Sequence, residues 1–174
     1  LQMYNTGYKK ELYRASLAIG YAGIMIANCF LILFGVTVFG RKEDMKYARK
    51  YIIISVIIAI LVALPWNYYG VPDARIPDNL RFFRPITSAA MMLFSIVTYS
   101  RIYIEARRVS RKVEDKWAKI GLDYIAYSQL CLILFFVFTL LDTIYFSLSD
   151  INGYTFFIYL AWLTVIFFLS FSYI

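Results

Sequence analysis

Asp142 lies inside the apolar stretch from Ile120 to Phe146. A carboxylate in such a stretch is costly unless it is paired, protonated or wetted. Arg81 and Arg84, at the entrance to another apolar stretch, are the cations that topology brings to the same side, so an Asp142–Arg84 ion pair is expected. By the same reasoning Asp123 is expected to meet Arg101 near the opposite side. Asn28 and Gln129, with Ser128 beside the latter, are uncharged polar groups at greater depth. Such groups hydrogen-bond between helices or line a ligand pocket. The chemistry these residues offer is pairing and orientation, because Asp123 and Asp142 share one helix about 28 Å apart and cannot form a two-carboxylate dyad.

The missing residue types narrow the function further. There is no histidine in the chain. Bis-histidine haem, histidine metal sites and histidine-based acid–base triads therefore cannot be assembled from it. Its acids are spread through loops without paired ligand spacing on one helix, and no serine has a base at hand. The dense carboxylate motif of a CDP-alcohol phosphotransferase is also missing. Cys29 and Cys131 both sit in apolar runs and read as small packing residues. The expectation is a protein that is not an enzyme and that carries no cofactor and no metal.

The elements that position these residues follow from composition. Of 174 residues 61% are hydrophobic and 20% aromatic, against roughly 45–50% apolar in soluble domains. A soluble domain of this size would leave many of those side chains in water. Lipid removes that difficulty, and the chain reads as an all-α, polytopic integral membrane protein of about five transmembrane helices in one domain over residues 1–174. The expected helices are 15–39, 51–69, 85–104, 120–146 and 154–174, each near the ~20 residues a bilayer crossing needs. Small residues Gly20, Gly23, Ala27 and Gly35 mark a packing face on the first. The segment 40–50 is dense in charge and is expected to be a loop in water. Pro65 is expected to end or kink the second helix, 70–84 to form a surface loop, and Pro85 to suit the first turn of the third helix. The segment 105–119 reads as a charged connection, helical in part. Of the 16 tyrosines, Tyr103, Tyr124, Tyr127, Tyr145, Tyr154 and Tyr159 fall near helix ends or within a few turns of them, as interfacial anchors do.

The net charge of +7 would suit a nucleic-acid binder if its position were ignored. Most of the 18 basic residues stand in clusters between the apolar runs. The first connection carries Arg41, Lys42, Lys46, Arg49 and Lys50, the third is as basic, and the fourth has no basic residue. Basic loops stay in the cytoplasm, which puts the N-terminus outside and Ile174 at the cytoplasmic face. The expected partners are the lipid bilayer, anionic lipid head groups at the cytoplasmic loops, and other transmembrane subunits or a homo-oligomer, with no nucleic acid. The sequence starts at Leu1-Gln2-Met3 and stops within an apolar run, which leaves a fragment of a longer chain open, and the outside N-terminus suits a further helix upstream.

With no catalytic constellation, the leading functional expectation is a non-catalytic subunit of a larger membrane complex, structural or assembly in role. The alternative is a transmembrane sensory domain coupled to a cytoplasmic output, since in topology alone the chain resembles the first five helices of a seven-helix receptor. A small transporter or channel component ranks third, because broken helices and charge near the midplane are lacking.

Overall fold

A computed structural model describes residues 7–40, 44–64, 83–148 and 156–172, with the side chains of some residues near helix ends left out. Every element among the described residues is a helix: α1 (Gly7–Phe39), α2 (Asp44–Ala63), α3 (Phe83–Ser110), α4 (Lys116–Leu148) and α5 (Phe156–Ser172). The all-α expectation is met.

The helices run further into the polar segments than their apolar stretches do. α1 starts at Gly7 instead of residue 15, because Lys, Glu, Leu and Arg are good helix formers and nothing in Tyr8–Arg14 breaks the turn. The segment 40–50 is not wholly a loop. From Asp44 onward it is the first two turns of α2. Gly40 ends α1, its N–H bonded to the Val36 carbonyl at 3.1 Å. A Cβ there would lie 2.6 Å from that same carbonyl oxygen, so only glycine leaves the helix by this path. α2 stops at Ala63, since the residue before Pro65 is pushed out of helical geometry. The expected kink at Pro65, the helix end at Tyr69 and the loop 70–84 lie largely or wholly outside the described residues.

α3 continues past Ile104 to Ser110, with Arg107 and Arg108 in its last turn opposite the negative end of its dipole. Arg111, Lys112 and Val113 close the helix with N–H bonds to the carbonyls of Arg107 and Val109. Asp115 then caps α4. Its carboxylate accepts the Ala118 N–H at 2.7 Å, and its carbonyl takes the first helical bond, from Lys119.

The chain divides into two compact units. One comprises α1 up to Ile32, α2 from Lys46 and α3 up to Met91; the other holds the end of α1, α3 from Met92, α4 and α5. In the first unit, α1 and α2 are tied by a hydrogen bond from Ser55 to the Met25 carbonyl. In the second, α3 and α4 are antiparallel, since Arg107 meets Asp123 while Tyr99 stacks on Phe136 further along. α4 and α5 pack together and are also antiparallel: Tyr124 and Tyr127 touch Phe171, and Tyr145 touches Phe157 at the other end.

Polar side chains are buried beside apolar ones such as Met25, Val62, Met91, Ile102 and Phe136, and many large apolar side chains are exposed. Asn28, Ser55, Ser95, Thr98, Ser128 and Gln129 are buried, whereas Ile26, Phe30, Ile53, Ile60, Val97, Trp162 and Ile166 are exposed. Hydroxyls turn back onto their own helices, as Thr98 does to Phe94, Thr139 to Phe135 and Thr164 to Ala161. Ile19–Phe39 and Lys116–Asp142 are long and apolar enough to cross a membrane, and Phe156–Phe171 is a shorter apolar helix.

Candidate functional site

The densest set of interacting polar side chains among the described residues lies where α3 ends and α4 begins. Arg107 and Ser110 are three apart on α3 and so share a face. The α4 cap at Asp115 aims that helix back along α3, which brings Asp123 opposite both. The Arg107 guanidinium donates to Asp123 Oδ1 at 2.7 Å, and the buried Ser110 hydroxyl donates to the same oxygen at 2.6 Å. Arg107 also lies 5.7 Å from the centre of the Tyr127 ring, within cation–π range. The hydrogen bond to the Asp123 carboxylate raises the Arg107 pKa above its ordinary value. Beside it Arg108 grips both oxygens of Glu105 at 3.0 and 3.1 Å.

The sequence places Asp123 against Arg101; in the structure Arg107 and Ser110 bond it instead. The reason is the length of α3, which runs one and a half turns beyond the expected end and carries Arg107 to the level of Asp123. Arg101 is exposed and engaged elsewhere.

Asp142 meets the backbone N–H of Ile158, the third residue of α5. The first four N–H groups of a helix have no partner within it. A carboxylate from the neighbouring α4 satisfies one of them and sits at the positive end of the α5 dipole. Arg81 and the Arg84 side chain, proposed as its partners, lie outside the described residues.

Asn28 and Gln129 are buried as expected, in separate units. The Asn28 amide nitrogen approaches the Met25 sulfur at 3.7 Å, beside the Ser55 hydroxyl bound at 2.8 Å to the Met25 carbonyl. Ser128 donates to the Ile125 carbonyl and accepts weakly from Gln129 at 3.4 Å. The Gln129 side-chain oxygen is buried and accepts no hydrogen bond among the described residues. Ser55, Arg107 and Ser110 were not singled out from the sequence. For Arg107 and Ser110 the signal was available, a cation and a hydroxyl three apart at a helix end. For Ser55, one serine among isoleucines, there was none.

The small-residue face of α1 divides. Gly35 is approached by Ile102 of α3, 3.5 Å from where a Cβ would stand, while among the described residues nothing lies within 4 Å of such an atom at Gly20 or Gly23. Both cysteines are free thiols. The arrangement can orient helices and hold charge at a hairpin end, and no group of three acid or thiol side chains able to hold a metal occurs among the described residues.

Compared with known proteins, the chain matches no family model, no curated protein and no solved structure.

Proposed function

We propose that the chain is a multi-pass integral membrane protein whose five helices cross the bilayer in succession, and that it acts as a non-catalytic subunit of a membrane complex. The observation that carries this reading is the extent of exposed isoleucine, leucine, phenylalanine and valine along the helices, while serine, threonine, asparagine and glutamine lie buried among methionine, valine and aromatic side chains. Exposed apolar area costs about 25 cal/mol per Å² in water and essentially nothing in hydrocarbon. Buried hydroxyls bonded to their own helix are the form polar groups take where no water competes. The basic α1–α2 and α3–α4 connections lie on the cytoplasmic side in this reading. α5, at 17 residues, reaches about 26 Å, close to the thickness of the hydrocarbon core.

The subunit role is supported by α1. Gly20, Gly23 and Ala27 are exposed along one side, with open space over the two glycines. In lipid, helix association depends on close backbone approach at small residues, and this strip offers it to a partner helix.

Two measurements test the reading. The chain should resist alkaline carbonate extraction and float with membranes; release into the soluble fraction would end the membrane reading. With Cys29 and Cys131 replaced by Ala, a Gly23→Cys chain treated in its native membrane with a bifunctional maleimide should give an adduct of one defined mass. A chain that floats yet stays monomeric would put the sensory alternative ahead of the subunit.

A further inference from the structure

The tip of the α3–α4 hairpin carries a surface that neither helix packing nor the ion pairs use. Trp117, the second residue of α4, is 78% exposed. Arg111, Lys112, Lys116 and Lys119 flank it and are exposed as well. The acids nearby are committed elsewhere: Asp123 to Arg107 and Ser110, Glu105 to Arg108, and Asp115 to the Ala118 N–H. That leaves Glu114 set against these cations, and among the described residues no carboxylate pairs with Arg111, Lys112 or Lys116. The surface is also held in place, because the Asp115 cap fixes the start of α4 and the Arg107–Asp123–Ser110 contact ties it to α3.

We propose that this hairpin tip docks anionic lipid head groups, with the Trp117 ring at the head-group level and Arg111, Lys112, Lys116 and Lys119 drawing acidic phospholipids around it. The proposal rests on the membrane reading above. An indole is apolar in its body and polar at its N–H, which suits the head-group boundary, and cations beside it find phosphate and carboxylate there. Below the tip the same helices expose Val97, Ile104, Leu134 and Leu141. Apolar flanks, an exposed indole and exposed cations close to it in sequence together match the edge of a bilayer with acidic lipid. A soluble anion would engage the cations and leave the indole and the flanks in water.

The test uses the full chain with Trp66→Phe and Trp162→Phe, leaving Trp117 as the fluorophore. It is reconstituted into phosphatidylcholine vesicles holding a minority of phosphatidylserine, with bromine on one lipid or the other. At equal mole fraction of the brominated lipid, phosphatidylserine should quench Trp117 about twofold more than phosphatidylcholine. That preference should vanish in the combined Arg111→Gln, Lys112→Gln, Lys116→Gln chain, and at about 1 M salt, where the screening length is about 3 Å. Arg111→Lys should keep it. Equal quenching by the two lipids in a chain that floats with the vesicles overturns this proposal and leaves the membrane reading standing, whereas a chain that does not float defeats the membrane reading itself. A change in Trp117 emission caused by millimolar inorganic phosphate in lipid-free detergent would assign the cations to a soluble anion and also overturn it.

Discussion

Between α1 and α2 the polar contact is neutral and fully enclosed: the Ser55 hydroxyl on the Met25 carbonyl, with the Asn28 amide alongside. Between α3 and α4 it is charged, and its two ions remain 31% and 27% exposed. The difference follows from the cost of burying charge. An ion pair taken wholly out of water loses several kcal/mol of hydration per ion, which mutual attraction repays only with excellent geometry. A hydroxyl bonded to a carbonyl incurs little of that loss. So neutral pairs can sit deep between helices, while ion pairs belong where a helix emerges and water still reaches one side. The Asp142 contact lies between these cases, an acid placed so that a helix N-terminus supplies the positive charge.

The contrast can be broken at its charged end first. Asp123→Ala strips the acceptor from both Arg107 and the buried Ser110, and is expected to lower the thermal midpoint in detergent by several degrees, more than any other substitution here. Asp123→Asn should recover part of the loss through the Ser110 hydrogen bond. If Asp123→Ala melts like the parent chain, the hairpin is not held by this contact. Next comes the cap beneath it. Asp115→Ala should cost about 1 kcal/mol in reversible unfolding, with Asp115→Ser nearly neutral. At the neutral end Ser55→Ala should cost about 0.6–1 kcal/mol, near the average for hydrogen bonds between membrane helices. A loss from Ser55→Ala as large as that from Asp123→Ala would erase the contrast between the two regions. The smallest effect on the isolated chain is expected at Gly23→Leu, whose Cβ would meet no described atom within 4 Å, and which should shift unfolding by less than about 0.5 kcal/mol. The same substitution should abolish the Gly23-face adduct in native membranes, which separates association from folding.

Much of the fold was legible in the sequence because helix formation in apolar runs is a local matter. Among the described residues a helix appears at each of the five runs, and the misplacements fall at the helix ends. α1 and α3 outrun their hydrophobic stretches because polar residues of good helix propensity extend a helix as readily as apolar ones. A reading based on hydrophobicity marks where hydrocarbon would begin and not where the hydrogen-bond ladder stops. The candidate site was legible only in part. Asp123, Asn28 and Gln129 stood out by type, since a polar residue in an apolar run needs a reason. Their partners did not, since a serine or arginine near a charged loop looks the same whether or not a carboxylate faces it.

By itself the sequence determined which residue types are available, how long the apolar runs are, and where glycine, proline and charge punctuate them. Those are properties of neighbours in the chain, and they lead to an all-helical protein with no histidine chemistry. Only the tertiary structure decided that Asp123 takes Arg107 and Ser110, that Asp142 meets Ile158, and that Gly35 is covered while Gly20 and Gly23 are open. Each depends on how far two helices slide past one another, and a shift of one turn, about 5.4 Å, exchanges one partner for the next.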